Sequence, residues 1–332
     1  MDIMAYRAAA VKAVRWLLAQ QNPDGSIHPV EQGLAAYYKV PYAFSLGGRS
    51  AEAVKLLAWV RDNVLTEEGD FVGPYPRQGP HTTYYHYPNS WLVAGAHRLG
   101  QFQVSVPGAE FLVTMQHPQS GGFLTGGPDA TLNSLTDMMS TSLAGLACLY
   151  TGHLEQALAV GGFLRHVWDS QPSPANTLYF CTHNGAALVT DSSGDELVAR
   201  AIDARTPRQW YFEAGLAAVF LARLYMATAD QKHLSYAQQY IEFVERCADD
   251  RYRTPQSGKV GWAAALLFAL TGNANWQRIA AAVADYLVAS QQEDGSWQNP
   301  AVGTQLAYAT VDVTAEFAII LCEIAEGLMA GE

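Results

Sequence analysis

A short turn signature recurs along this 332-residue chain, each time after a helix-like run. Three copies are clear, and they lie at residues 20–26 (QQNPDGS), 116–123 (QHPQSGGF) and 291–297 (QQEDGSW), with a weaker copy at 67–71 (EEGDF). Each copy reads as a helix end, a glycine-bearing turn and an apolar residue that plugs the next layer. Recurrence of this kind predicts a ring or stack of helical hairpins.

Two kinds of helical segment alternate between these turns. Segments with one polar face cover residues 5–21, 50–65, 105–117, 153–170, 231–248 and 274–292. Segments that are apolar nearly all round cover residues 33–47, 83–99, 134–151, 208–229, 258–272 and 306–328. A helix that is apolar on every side must be buried on every side. The second kind is therefore predicted to lie inside a layer formed by the first.

The apolar segments begin at a nearly constant interval of about 50 residues, with one longer interval of about 72 residues. An insertion at about 172–206, which contains Pro172 and Pro174, accounts for the longer interval. Six hairpins predict an all-α (α/α)6 toroid of six inner and six outer helices, formed as a single domain over residues 1–332. An open solenoid is the alternative, but its last helix should carry a polar cap, and here that helix is among the most apolar.

Composition restricts the partners of this fold. The net charge of −11 argues against nucleic acid, because phosphate binding needs clustered Lys and Arg. No apolar run approaches 18 residues, so no membrane span is expected. The first residues do not resemble a signal peptide, and the four cysteines suggest no pairing, which favours a cytoplasmic protein. The sequence leaves a homo-oligomer open.

The turns resemble the repeats of the squalene and oxidosqualene cyclases and of the protein prenyltransferase β-subunits. In that superfamily a Gln followed by Asp-Gly-Ser-Trp or Gly-Gly-Phe closes each outer helix. Residues 291–297 are similar to the first form, and residues 116–123, followed by STSLA at 140–144, are similar to the second. The resemblance implies an α/α toroid over the whole chain. It does not imply one activity, because this fold hosts unrelated chemistries.

Two functional motifs of that superfamily are incomplete here. Class II terpene cyclases carry an Asp-x-Asp-Asp-Thr-Ala acid motif, whereas residues 310–315 read TVDVTA. Asp312 alone remains, at the position of the family's proton donor. Prenyltransferase β-subunits bind zinc through an Asp-x-Cys and a distant His, and the nearest candidate here, Cys181-Thr182-His183, lacks a third ligand. We therefore expect neither a metal nor another cofactor.

Polar residues at the start of the apolar segments are the candidate site residues, because inner-helix N-termini face the cavity mouth in this architecture. The catalytic candidates are Asp312, Glu213, His86, Tyr87 and Asp137. The substrate-binding candidates are Lys39, Tyr38, Asn89, Arg208, Trp210, Tyr211, Lys259, Trp262 and Tyr308. Helix capping, aromatic packing and buried ion pairs are the structural alternatives for these residues.

The pattern favours an enzyme that performs an acid–base cyclisation or isomerisation of a small, anionic, ring-containing or polyene substrate. Helix N-termini together with Lys39, Arg208 and Lys259 favour an anion. Asp312 is expected to be the acid, unless a nearby cation keeps it ionised; Glu213 or His86 then takes that role.

Two other functions stay open. A uronate lyase or saccharide hydrolase is one, since His86, Tyr87 and Asn89 lie close in sequence and Asp137 and Asp312 form a possible carboxylate pair. A non-catalytic binding module is the other. In every case the expected partner is a small molecule.

Overall fold

The structure is a computed structural model that describes residues 1–28, 33–72, 77, 80–191, 200–298 and 307–331, without the side chains of 307–309. Within these ranges, twelve main helices alternate between an outer and an inner position. The outer helices are α1 (Ile3–Ala19), α3 (Ser50–Asn63), α5 (Phe102–Thr114), α7 (Leu154–Asp169), α9 (Gln231–Glu245) and α11 (Ala274–Ser290). The inner helices are α2 (Val40–Leu46), α4 (Tyr87–Arg98), α6 (Met138–Tyr150), α8 (Phe212–Thr228), α10 (Gly258–Thr271) and α12 (Ala307–Gly331).

Burial separates the two kinds of helix as their sequences predict. In α6 every residue from Met138 to Cys148 is buried. In α7 burial follows a stripe that includes Val160, Leu164 and Val167, and Leu154 and Leu158 are exposed. The apolar segments therefore form the inner layer, and the polar faces of the other segments meet solvent.

The inner helices form a closed ring. Each of α2, α4, α6, α8 and α10 packs against the next inner helix, and α12 packs against α2 and α1. Outer helices α1 and α11 also meet: the Tyr6 hydroxyl donates to Asp285 at 2.6 Å, and Gln291 Nε2 donates to the Ala9 carbonyl at 2.9 Å. The predicted (α/α)6 toroid is confirmed.

The recurring glutamine joins each turn to the next outer helix. Gln116 Nε2 donates to the Gly121 carbonyl at 2.9 Å and to the Gln156 carbonyl of α7 at 3.0 Å. Gln21 and Gln291 make the equivalent pairs of hydrogen bonds to α3 and α1. The glutamine repeat therefore fixes the spacing of neighbouring hairpins around the ring.

The glycine of each turn is required by its backbone and by its neighbour. Gly69 has a φ of +89°, in the left-handed region that side chains avoid. A Cβ atom at Gly69 would lie 2.1 Å from the Pro107 carbonyl oxygen on α5. Only glycine allows the turn to approach the next outer helix this closely.

The residue after each turn is fastened to an inner helix. The Phe123 N–H donates to Thr141 Oγ1 at 2.9 Å, and the Trp297 N–H donates to Thr314 Oγ1 at 3.0 Å. Both threonines lie near the start of their helices, so these bonds hold inner-helix N-termini at the same end of the ring as the turns. No helix in the described ranges is long and apolar enough to cross a membrane.

Among the described residues, the sheets consist of short strands around the insertion. They are β1 (Thr136–Asp137), β2 (Thr177–Tyr179), β3 (Cys181–His183), β4 (Ala187–Leu188) and β5 (Ala201–Asp203). β3 lies between β1 and β4, antiparallel to both, and β2 pairs with β5. Because β1 directly precedes α6, the insertion lies beside an inner-helix N-terminus.

Candidate functional site

Four charged residues from three inner-helix starts form an ion-paired group, here called the lysine cluster: Lys39, Lys259, Asp312 and Glu316. Lys39 occupies the N-cap position of α2, Lys259 is the second residue of α10, and the two acids lie one turn apart on α12. Lys39 Nζ lies 3.0 Å from Asp312 Oδ1, and both lysines hydrogen-bond Glu316. Each lysine is only 3% exposed.

Every pKa shift in the lysine cluster favours charge. Burial alone would lower the pKa of Lys39, but Asp312 and Glu316 raise it well above its ordinary value. Burial opposes the charge of Glu316 too, but Lys259 and Lys39 hold its pKa at about 2. Two cations face two carboxylates, so the cluster has no net charge.

Aromatic rings surround both ammonium groups. Lys39 Nζ lies 5.0 Å from the ring centre of Tyr38 and 5.7 Å from that of Tyr87. Lys259 Nζ lies 5.9 Å from the Tyr87 ring centre and 5.5 Å from that of Phe212. Tyr87 therefore contacts both lysines, and these ring faces can stabilise positive charge.

Asp137 and Glu213 form a second group, here called the carboxyl pair, at the starts of α6 and α8. Both are 0% exposed. Asp137 Oδ1 accepts the Ser140 N–H at 2.7 Å and caps α6, as the structural alternative predicted. Asp137 Oδ2 and both Glu213 carboxyl oxygens make no hydrogen bond of good geometry in the described part of the chain, although the Met139 N–H lies close enough to both carboxyl groups to lower their pKa values.

Burial raises the pKa of both members of the carboxyl pair above that of an ordinary carboxyl group. It raises the pKa of Asp137 to about 6. Burial, followed by the nearby charge of Asp137, raises the pKa of Glu213 well above its ordinary value, and the Met139 backbone N–H and then Lys259 oppose this by smaller amounts. At neutral pH this pair holds a proton in a desolvated site, as a general acid requires.

An aromatic wall connects the carboxyl pair with the insertion. Trp210, partly exposed, stacks on Phe212 with ring centres 5.5 Å apart and on Phe180 at 6.2 Å. The ring centres of Tyr84 and Trp210 lie 6.5 Å apart in an edge-to-face arrangement, and burial, followed by the charges of Glu213 and Asp137, raises the Tyr84 pKa. Trp210 and Tyr84 therefore border the carboxyl pair.

His86 and Asn89, two of the predicted site residues, are fully buried in contacts with neighbouring turns. His86 Nε2 lies 3.0 Å from the Leu124 carbonyl oxygen, and burial lowers the His86 pKa to about 4. Asn89 Nδ2 donates to Asp70 at 2.7 Å, and Arg77 donates to its side-chain oxygen. Their described contacts fasten α4 to these turns rather than to the lysine cluster.

Arg208 and Tyr211 lie before α8 rather than inside it. The sequence pattern begins the fourth inner helix near residue 208, but α8 begins at Phe212. Arg208 is exposed, and its backbone N–H donates to Asp250 at 2.7 Å. The Tyr211 hydroxyl donates to the same carboxylate at 3.0 Å. Asp250 therefore binds both residues. The positive charge of Arg208, expected at the cavity mouth, lies on an exposed turn instead.

Two predicted site residues remain, Trp262 and Tyr308. Trp262 is 1% exposed within α10, where it packs as a core residue. Tyr308 belongs to α12, but its side chain lies outside the described atoms.

Sequence reasoning missed His81. This residue lies on a helical turn, Pro80–Thr83, that precedes α4, and its ring meets the Tyr38 ring edge-on at 5.5 Å. The available signal was Pro80, because proline favours the first position of a helix and so marks a second helical start before α4. Within the described ranges, no three His, Cys, Asp or Glu side chains are placed to hold a metal ion.

Comparison with known proteins supports the fold alone. No protein-family model and no curated protein sequence matches the chain. An α-mannanase from Bacteroides thetaiotaomicron is similar over 97% of this chain and 96% of its own, with a TM-score of 0.64 and 13% identity. A type II terpene cyclase from Scytonema, bound to geranylgeranyl dihydroxybenzoate, is similar over 98% and 99%, with a TM-score of 0.61 and 14% identity. An unsaturated glucuronyl hydrolase specific for heparin covers 98% and 96%, with a TM-score of 0.61 and 11% identity.

Proposed function

We propose that this toroid is an enzyme in which the carboxyl pair protonates a small ring-containing or polyene substrate and so starts a cyclisation or isomerisation. The observation that carries the proposal is a pair of fully buried carboxyl groups whose pKa values burial raises despite the nearby Met139 N–H, with three oxygen atoms that make no hydrogen bond of good geometry in the described part of the chain. Desolvated acids of this kind store a proton near neutral pH. A structural role would favour partners for those oxygens.

The surroundings suit a reaction that develops positive charge. Protonation of a carbon–carbon double bond leaves a carbocation, which needs electron-rich neighbours and no nearby water. Trp210 and Tyr84 border the carboxyl pair, and Phe212 and Tyr87 continue the aromatic surface toward the lysine cluster. Cation–π attraction in such a desolvated site is worth about 2 kcal/mol per well-placed ring.

The ion pair between Asp312 and Lys39 changes the assignment of the acid. Asp312 Oδ1 lies 3.0 Å from Lys39 Nζ, so the described contact of Asp312 is an ion pair. The proposal therefore gives the acid role to Asp137 and Glu213 and gives Asp312 a positioning role for Lys39. Because the lysine cluster is balanced in charge, a polar but uncharged head group satisfies the proposal as well as an anionic one.

The test follows a proton from solvent into a product. Wild-type protein is incubated in D2O with geranylgeranyl dihydroxybenzoate, the substrate named for the terpene cyclase of this fold, and products are analysed by mass spectrometry. We expect an isomeric product that carries one solvent-derived deuterium on carbon. Glu213→Gln should lower turnover at least about 100-fold, the low end of acid catalysis. Asp312→Asn should weaken activity less than Glu213→Gln does. Unchanged turnover in Glu213→Gln and in Asp137→Asn would remove the carboxyl pair from the chemistry.

Saccharide hydrolysis is the second candidate, because paired carboxyl groups on an α/α toroid also suit glycosidic bonds. A hydrolase needs one carboxyl group ionised as base or nucleophile, and Asp137, whose pKa burial raises to about 6, can take that role at neutral pH with Glu213 as the acid. Release of reducing ends from an α-mannan oligosaccharide, lost in Asp137→Asn, would favour this alternative over the cyclase-like reaction.

We also propose that residues 1–332 form a single domain and that the insertion at 172–206 covers the mouth as a lid. β3 pairs with β1 so that Cys181 lies opposite Asp137, and Phe180 stacks on Trp210. A lid here would keep water from the carbocation. Removal of the Phe180 ring by Phe180→Ala should increase water-trapped alcohol products, and an unchanged product ratio would count against the lid.

A cytoplasmic location and a homo-oligomer stay predictions.

A further inference from the structure

We propose that His81 is the base that completes the reaction, by accepting the proton that the substrate carbocation loses. This inference rests on the proposed function and adds a second catalytic residue to it. No described contact uses the His81 ring for folding beyond its edge-on packing against Tyr38. The side chain is partly exposed.

His81 and the carboxyl pair are linked by one short segment. The Tyr84 N–H donates to the Pro80 carbonyl at 2.9 Å, and the Tyr87 N–H donates to the Tyr84 carbonyl at 3.2 Å. His81 contacts Tyr38 beside the lysine cluster, whereas Tyr84 lies one turn further on, beside Glu213 and Asp137. The segment therefore spans the mouth, with the base toward one end and the acid toward the other.

Three charged groups act on the imidazole of His81. Burial is the largest effect on its pKa and lowers it, Asp312 raises it, and Lys39 and Arg77 lower it again, which leaves the pKa at about 4. Tyr38 is the aromatic group against it. His81 is thus neutral, with a free lone pair, throughout the pH range from 5 upward.

The difference between the two pKa values lets acid and base coexist. Burial raises the pKa of Glu213 well above its ordinary value and lowers that of His81 to about 4, so the proton stays on Glu213 rather than moving to the imidazole until a substrate takes it. A stronger base would remove that proton and disable the acid. A weak base suffices for the second step, because a C–H bond next to a carbocation is very acidic.

The proposed sequence conserves protons and electrons. The carboxyl O–H bond breaks, and its proton forms a new C–H bond at one carbon of a double bond, leaving a cation. A neighbouring C–H bond then breaks, its electron pair forms a new double bond, and its proton moves to a ring nitrogen of His81. The imidazolium returns this proton to solvent, and the carboxylate takes one back.

The first test needs no substrate. Diethyl pyrocarbonate acylates neutral imidazole, so the pH dependence of the modification rate, read by peptide mass spectrometry, reports the neutral fraction. An ordinary histidine with a pKa of about 6.5 is about 3% neutral at pH 5 and about 97% neutral at pH 8, a change of roughly 30-fold. His81 should change by less than about 1.2-fold over the same range. N-acetylhistidine in the same tube corrects for reagent decay. Absent modification, or a 30-fold rise, would overturn the assignment.

The second test separates the base from the acid. His81→Gln should still place one deuterium on carbon in D2O but should shift products toward other double-bond isomers or water-trapped alcohols. His97→Gln, at the far end of α4, should leave products unchanged. An unaltered product distribution in a folded His81→Gln protein would overturn the role of His81. If wild-type protein gives no deuterated isomer while His81 still shows its pH-independent modification, the proposed function is wrong, but the neutral state assigned to His81 stands.

Discussion

Glu316 provides the sharpest test of the electrostatics of the mouth. Its carboxylate lies between two lysines that are each 3% exposed, and its pKa is about 2 against an ordinary 4.5. At 1.36 kcal/mol per pKa unit, this shift corresponds to about 3 kcal/mol of folding stability at neutral pH. Glu316→Gln removes the charge at nearly constant volume and leaves two buried ammonium groups underpaired. We expect the free energy of unfolding to fall by about 3–5 kcal/mol.

The pH dependence fixes the sign of this effect. A carboxyl group with a lowered pKa in the folded state stabilises the protein above its ordinary pKa, and that stabilisation is lost as the pH falls toward the folded value. The difference between wild type and Glu316→Gln should therefore be constant from pH 8 to about pH 5.5. It should shrink to about 1.5 kcal/mol by pH 3. Urea unfolding followed by far-ultraviolet circular dichroism at several pH values measures this difference.

The control is Glu326→Gln, on the same helix α12 but exposed to solvent. Its stability should stay within about 0.5 kcal/mol of wild type at every pH. If Glu316→Gln were equally neutral at pH 7, the two lysines would not depend on this carboxylate, and the ion-pair arrangement described for the mouth would be refuted.

Three further predictions concern the ring and the acid. Gly69→Ala should destabilise the fold by about 2–4 kcal/mol, because it adds a backbone clash to an unfavourable φ. The control Gly48→Ala, at a φ of +70° in open space, should cost only about 1 kcal/mol, and equal losses in urea unfolding would refute the close contact at Gly69. Gln291→Ala should lower the free energy of unfolding by about 1–3 kcal/mol in the same assay, because it removes the two hydrogen bonds of Gln291 where the ring closes. Gln292→Ala, at an exposed position, should change it very little, and equal losses would show that Gln291 does not hold the closure. The raised pKa of Glu213 should make wild type lose stability from pH 5 to pH 8, so Glu213→Gln should lose less while being inactive; parallel pH profiles would contradict its burial as an acid.

The fold could be derived from the sequence because helices buried on every side have few arrangements. The alternation of segments, their spacing of about 50 residues and the glutamine–glycine turns were enough to give two rings. Boundaries were less accurate: the fifth segment, set at 105–117, is α5 at Phe102–Thr114. Pro107 inside that helix obscured its true start.

The site was less accessible because its contacts join distant parts of the chain. The pairing of Lys39 with Asp312 and Glu316 depends on ring closure, which no local pattern reports. The sequence predicts Arg208 at the mouth because the apolar pattern starts there. Its positive φ of 59° and the Asp250 carboxylate keep it in a turn instead. Glu213 was expected as a catalytic candidate, but the pattern could not say that its oxygens lie unpaired beside Asp137.

Closure of the ring and assembly of the mouth are one event in this chain. Lys39 belongs to the first inner helix and Glu316 to the last, so the lysine cluster exists only when α2 and α12 meet. Lys259 extends the same ion pairs to α10, the inner helix before α12. This seam between α2 and α12, to which the buried ion pairs contribute, lies next to Tyr87 and Phe212, the rings that border the proposed reaction space. We infer that loosening the seam perturbs the mouth before it unfolds the protein. Hydrogen exchange in Gln291→Ala should then rise first at the starts of α2 and α12, and a uniform rise around all six inner helices would contradict this coupling.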